Sequence, residues 1–286
     1  MSEKWREIYK PEEIKAIQRI ELDSLEVFSG VCRKLGIDFF LYGGSLLGAV
    51  KYQGFVPWDD DLDVCLMRRD YDKLLRQGPA LLPPEYELQE PTIHPVTPFP
   101  YAKFRRKDTV MVEYAFRKLP MNHGIYFDVY PIDNIPDDDE VYRAQHEKLQ
   151  ALAIRFREHQ CWRPFAPISS LREAALAALG VAKHLRSRRI SHHKLVREMY
   201  EVMTAYNTVQ TRRQGNYFFP EPVNYFDGVL PPVEMPFEGV TMKLPRGYEV
   251  NLTNRYGDIT QLPPEEERVG HKPYRLDLGK EALNVH

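Results

Sequence analysis

From Pro11 to Leu35 the apolar positions fall at helical spacing. Ile14, Ile17, Ile20, Leu25, Phe28, Val31, Cys32 and Leu35 form one stripe. Pro11 suits a first helical turn, and Gly36 stops the run. The period then shortens. Asp38 to Tyr42, DFFLY, reads as a strand. Gly43 and Gly44 read as a turn, and Ser45 as the N-cap of a helix in SLLGAVKY. Leu62 to Met67 predicts a second strand, and RRDYDKLLRQ a short helix after it. Prolines between Leu82 and Pro100 predict a break in regular structure. YAKFRR, DTVMVEY and GIYFDVYPI read as strands. From about Asp137 to Gln214 the texture is helical. From Tyr217 short strands return, and FEGVTMKLPRGYEVNLTNRYGD reads as a hairpin running into a helix that ends near Tyr256, with Gly257 as its cap.

This order predicts an α/β (α+β) fold, a mixed sheet flanked by helices. Three regions are expected: a catalytic core over 1–136, a helical insert over 137–214, and a C-terminal lobe over 215–286 that completes the core. Charge sharpens that division. Between Arg143 and Arg213 there are 14 lysines and arginines against 5 aspartates and glutamates, a formal +9. The rest of the chain then carries −11 of the total −2. The near-zero total gives no bulk field for nucleic acid. The insert's HLRSRRISHHK reads as a solvated helix face, or as a contact for anionic glycan or membrane phosphates. Cys32, Cys65 and Cys161 lie far apart and read as free thiols of a reducing compartment. The polar N-terminus lacks the apolar core of a signal peptide, and no apolar run approaches the ~20 residues of a membrane span. The expectation is a cytoplasmic protein with peripheral contact at the inner membrane face through the basic insert.

One stretch stands apart: FLYGGSLLGAVKYQGFVPWDDDLDV, Phe40 to Val64, with Asp59, Asp60, Asp61 and Asp63 inside five residues. Carboxylates this close repel unless a cation or a proton neutralises them. In a strand Asp61 and Asp63 face the same side, about 6.6 Å apart at ~3.3 Å per residue, so both can turn to one hard cation. Mg2+ takes one or two carboxylates and completes its shell with water and substrate phosphates. GIYFDVYPI offers a third carboxylate, Asp128, on the face opposite Ile125, Phe127 and Val129. A buried unpaired carboxylate is costly, and a metal is a good partner for it. Taken alone, three consecutive aspartates read as a solvated turn after Pro57. The glycine turn upstream, the DLDV alternation and the isolated Asp128 argue against that reading.

The combination resembles the nucleotidyltransferase superfamily, whose pattern is a GG or GS turn, a strand with alternating aspartates and a later carboxylate strand. It is most similar to the LicD family, which is related to fukutin. YGGSLLGAVKYQGFVPWDDDLDV looks like the central signature, and YAKFRRKDT, FDVYPIDNIPD and NRYGDITQLPPEEERVGH look like its later blocks in order. The resemblance implies phosphocholine transfer from CDP-choline to a hydroxyl of a cell-surface glycan precursor, as in lipopolysaccharide, teichoic acid or capsule. Ribitol phosphate or another CDP-linked alcohol is the alternative donor group. It also implies Mg2+, with Mn2+ as the alternative, held by Asp61, Asp63 and Asp128, and a supporting role for Asp59. Asp128 or Asp59 would accept the hydroxyl proton. Gly43, Gly44 and Ser45 would hold phosphate oxygens, and Lys103 and Arg105, alternating in one strand, could reach the diphosphate. Trp58 reads as a core anchor. Tyr256 and Asp258 could touch the donor or pin the C-terminal lobe, and His271 could support the site.

Other classes fit less well. A metal-dependent glycosyltransferase also uses alternating aspartates but needs no glycine turn before them. A haloacid-dehalogenase phosphatase places its first aspartate directly after an apolar strand, whereas here Trp58, Asp59 and Asp60 intervene. A non-catalytic glycan-binding module would not need the three carboxylates Asp61, Asp63 and Asp128.

Overall fold

The computed structural model describes residues 10–164, 167–219, 225–264, 268, 270 and 273–279. The N-terminal stripe folds as helix α1, Pro11–Leu35, closed at Gly36 in the left-handed region (φ 61°). Strand β1 is only Phe40–Leu41, shorter than DFFLY predicts. Helix α2, Gly43–Tyr52, follows at once, then β2, Asp63–Met67, and α3, Arg68–Gln77. Strand β3, Tyr86–Gln89, lies where the prolines predicted a break. Among the described residues it pairs only with β4, so it is an edge strand, where neighbouring prolines are tolerated. Next come β4, Ala102–Arg106, β5, Val110–Val112, and the long β6, Ile125–Asn134.

The main sheet runs β1-β2-β6-β4-β3. Strands β2 and β6 are parallel and the other pairs antiparallel, giving the mixed α/β sheet. Helix α1 covers one face. Phe28 meets Phe39, Phe104 and Phe127 edge-on at 5.2–5.3 Å, so one helix residue ties three parts of the sheet layer into one core.

The basic region folds as α4, Asp139–Gln160, α5, Leu171–Ser187, and α6, His192–Thr204. Tyr142, Leu149, Leu152 and Phe156 pack on Leu195, Met199 and Met203 in a second small core. It is tied to the sheet by Arg68, whose guanidinium donates to both Asp133 oxygens of β6 at 2.8 and 2.6 Å and to Met203 Sδ of α6 at 3.7 Å. Strands β7, Gln214–Gly215, and β8, Tyr225–Phe226, extend the sheet from the end of β6.

The C-terminal hairpin forms as predicted. Strands β9, Val233–Phe237, and β10, Val240–Leu244, are joined by Glu238 and Gly239, both at positive φ (50° and 81°), the geometry of a two-residue hairpin turn. Its tip reaches back: Glu238 Oε1 accepts from the Phe55 N–H at 3.0 Å, against Gly54, where a Cβ would overlap that oxygen. Helix α7, Tyr248–Tyr256, ends at Gly257 (φ 67°). A last strand, β11, Arg275–Asp277, pairs with β5.

Candidate active site

The acidic residues meet at the edge where β2 leaves the α2 turn. Strand β2 begins at Asp63, one residue later than the predicted Leu62, so Asp61 lies with Asp59 and Asp60 in the loop before it and not in strand alternation with Asp63. The extension still continues the ladder, because the Asp128 N–H donates to the Leu62 carbonyl at 2.9 Å. The parallel register sets Asp63 directly beside Asp128. Parallel neighbours lie about 4.8 Å apart, so this pairing brings the two carboxylates together.

The glycines make room for these carboxylates. Gly43 has φ 54°, and a Cβ on it would overlap Asp63 Oδ2; a Cβ on Gly44 would overlap Asp59 Oδ2. Both carboxylates therefore sit against backbone at the N-terminus of α2, where the helix dipole favours negative charge. Gln18 of α1 fixes the loop from below, its Nε2 donating to the Asp59 carbonyl at 2.8 Å and the Val56 carbonyl at 3.4 Å.

The electrostatics are those of an excess of buried negative charge. Burial pushes the Asp59 carboxyl well above the ordinary carboxylate range, and Asp61 adds to it. Burial also pushes Asp63 up, reinforced by Asp61 and Asp128 and opposed by Arg255 and Lys103. Asp60 is buried, not part of a solvated turn. Glu21 of α1 is fully buried beneath the cluster, with no hydrogen bond to either carboxyl oxygen among the described residues. Its carboxyl is pushed well up by burial first and then by Asp61, Asp60, Asp59 and Asp63. Among the described residues no three His, Cys, Asp or Glu side chains form a ready-made metal cage. An all-oxygen donor set with surplus charge nonetheless fits a hard cation such as Mg2+ or Mn2+, which two carboxylates and substrate phosphates can hold. Asp61 and Asp63 could supply those carboxylates.

Residues 36–169 match the family model described as LicD/FKTN/FKRP, nucleotidyltransferase domain. Those residues carry the LicD family's nucleotidyltransferase domain. The lipopolysaccharide cholinephosphotransferase LicD of Haemophilus influenzae is 27% identical over 268 residues, covering 89% of this chain and 94% of that protein. An uncharacterised Rickettsia prowazekii protein is 27% identical over 48% of this chain and 47% of its own length. A Rickettsia typhi protein is 39% identical over 22% of this chain and 19% of its own.

Within this LicD-family domain the structure redistributes several predicted roles. Ser45 is not an N-cap: α2 starts at Gly43, and the buried Ser45 hydroxyl accepts the Asp63 backbone N–H at 2.9 Å. It holds the acidic strand against the helix and has that bond to keep. Lys103 and Arg105 do share a face, as alternation requires, but both are buried. Lys103 ion-pairs with Asp128, whose other oxygen accepts from the Tyr130 hydroxyl at 2.9 Å. Its ammonium lies 3.6 Å from the Tyr126 ring centre and 4.1 Å from that of Phe99. The partner for Asp128 that the sequence left to a metal is therefore a lysine from the next strand. Arg105 donates to Gln89 Oε1 and to the Gly124 carbonyl, both at 2.9 Å, and so is spent on the sheet. Lys51 Nζ donates to the Ile259 and Gln261 carbonyls, tying α2 to the segment after α7.

Trp58 is half-buried rather than a core anchor, and it lines a cavity of about 540 Å3 with Tyr52, Tyr256, Asp258, Asp59 and Gly44. Its ring meets Tyr52 edge-on at 6.3 Å. The Arg268 guanidinium stands 5.4 Å from the Trp58 ring centre, so this face already accepts a cation. His271 lies outside the described residues. Gln18, Glu21 and Arg255 were not singled out by the sequence. Gln18 and Glu21 share one side of α1 three residues apart, the spacing of a helix face, which was the available signal.

Glu21 gives a pH-dependent expectation. A carboxyl whose folded-state pKa is raised contributes stability fully present below the unfolded value of about 4.3 and lost as pH rises toward the folded value. Glu21→Gln does not titrate and keeps the shape. In EDTA its melting temperature should match the wild type near pH 4 and exceed it progressively toward pH 8. Parallel melting curves across that range would show that Glu21 ionises as readily in the folded chain as in the unfolded one.

Proposed function

We propose that this chain is a metal-dependent phosphotransferase that moves phosphocholine from CDP-choline to a hydroxyl of a glycan precursor. The observation that carries the reading is a shared wall. Gly44 and Asp59 belong both to the acidic cluster and to the aromatic cavity, so a phosphate at the carboxylates and a head group in the cavity can belong to one donor. A quaternary ammonium donates no hydrogen bond and is held by aromatic faces and carboxylates. Trp58, Tyr52 and Tyr256 supply the faces, and Asp59 and Asp258 the charge. The Haemophilus relative's activity supports the same substrate class.

Mg2+, when bound, neutralises donor diphosphate charge. The chain itself does the rest. Gly43 and Gly44 let Asp63 and Asp59 approach the helix terminus without a side chain between them. Lys103 and Tyr130 fix Asp128 in one orientation. Asp128 is thereby committed to its partners. Asp59, whose proton affinity is raised by burial and Asp61, is the better acceptor for the acceptor hydroxyl's proton. Arg255, whose charge acts on Asp63 from α7, takes the diphosphate role that the sequence suggested for Arg105.

The test is CMP release from a panel of CDP-choline, CDP-ethanolamine and CDP-ribitol, with and without Mg2+ and candidate glycans. CDP-choline should be used fastest, and EDTA should stop release. Faster turnover of CDP-ribitol would replace the choline reading. Within the same assay Trp58→Leu should raise KM for CDP-choline about tenfold, the scale of one lost cation–π contact, and leave CDP-ribitol unchanged. Equal losses for both donors would make Trp58 structural.

A further inference from the structure

Helix α5 turns its apolar side outward. Its inner side is small and polar. A Cβ at Gly180 would lie 2.9 Å from the Trp162 carbonyl oxygen, His184 Nδ1 bonds the Glu158 carbonyl at 2.7 Å, and Ser187 is the buried residue of the helix. On the opposite side Leu171, Leu179 and Leu185 are 91%, 52% and 62% exposed, and Leu176, at the margin, is 57% exposed. At 3.6 residues per turn Leu171, Leu179 and Leu185 share the outer half of the helix with Ala175, Ala178 and Ala182. A helix packed on a globular core shows the reverse arrangement.

The charges on this outer half have one sign. Arg172, Lys183 and Arg186 stand among the leucines, and Arg188 and Arg189 follow the helix end, all exposed. The one acid in α5, Glu173, folds back to accept from the Ser169 N–H and hydroxyl at 2.6 and 2.7 Å. Lys183 also reaches Glu158 of α4 at 3.5 Å, a half-exposed pair that leaves its ammonium accessible. Ile168, just ahead of the helix, adds another half-exposed apolar side chain. No helix among the described residues is long and apolar enough to cross a membrane.

An apolar stripe flanked only by cations suits a surface that is apolar inside and anionic at its rim. Amphipathic helices of this composition lie in the plane of the lipid interface, with their apolar side at the acyl boundary and their basic groups on headgroup phosphates. We propose that α5 is a docking surface for an anionic lipid bilayer, with Leu171, Leu179 and Leu185 inserted and Arg186 and Arg188 on the phosphates. The proposal depends on nothing in the reaction assigned above. To the charge of HLRSRRISHHK the leucines add an apolar attraction that salt does not screen.

The test is sedimentation of the full chain with vesicles of phosphatidylcholine, alone or mixed with phosphatidylglycerol. Binding to the mixed vesicles should be at least about tenfold stronger, and salt should weaken it without abolishing it. Leu179→Glu combined with Leu185→Glu should reduce binding about tenfold or more, with an unchanged melting temperature because both side chains are already exposed. Arg186→Gln with Arg188→Gln should remove the preference for anionic lipid and flatten the salt dependence. Three results would overturn the proposal: no binding to mixed vesicles, equal binding by the leucine variant, or a dimer in light scattering that the leucine variant dissociates. The last would make the face a contact between copies of the chain.

Discussion

Asp63→Asn is expected to abolish transfer while leaving the protein folded. The amide has the same shape as the carboxylate it replaces. The backbone N–H therefore keeps the Ser45 hydroxyl, and the side chain still fits against Gly43. What changes is charge. An amide is a poor ligand for a hard cation, and loss of electrostatic support at a phosphoryl site costs ~10²–10³-fold in turnover. Removing the charge also relieves repulsion with Asp61 and Asp128, so the melting temperature in EDTA should stay level or rise. Asp61→Asn should behave the same way. CMP release and thermal unfolding on the same preparations check both halves. Retention of more than about a tenth of wild-type turnover, or activity that survives EDTA, would remove these residues from the metal assignment.

Gly43→Ala is expected to damage both stability and activity, for two separable reasons. A residue with a Cβ held at φ 54° costs about 1–3 kcal/mol, and this Cβ would also overlap the Asp63 carboxylate. The carboxylate must move, so turnover should fall about a hundredfold, the cost of a misplaced reacting group. Gly36→Ala is the control. Gly36 has nearly the same dihedral, φ 61°, but nothing lies within 4 Å of its added Cβ. It should show the conformational cost in urea unfolding and nearly normal activity. If the two variants lose activity equally, backbone strain explains both and the close approach to Asp63 has no catalytic consequence.

Features with a local physical cause were legible in the sequence. Helix α1 follows from an uninterrupted apolar stripe and a glycine stop, and the segment beginning FEGVTMKL was legible as a hairpin running into a helix. The face of Asp128 followed from the two-residue period of a strand. The glycine pair was legible as a special place, but not its use. A turn and a helix start look alike in sequence, and only the approach of Asp63 and Asp59 shows what a side chain would strike.

What pairs with what was settled by the packed chain. Lys103 and Arg105 have the same spacing, charge and strand, yet Lys103 meets Asp128 while Arg105 meets Gln89 and Gly124. Strand order and register make that choice, because β4 lies beside β6 with Lys103 opposite Asp128. Gln18, Glu21 and Arg255 reach the site from α1 and α7, helices distant from it in sequence. The outward leucines of α5 show the same limit: periodicity states that a helix has an apolar side, but which side faces the protein depends on the surface it packs against. The linear chain thus specifies most of the elements, the family signature and the residues proposed for phosphotransfer. The fold selects which of them are committed to one another, because those partners are brought together by non-local pairing that no local pattern encodes.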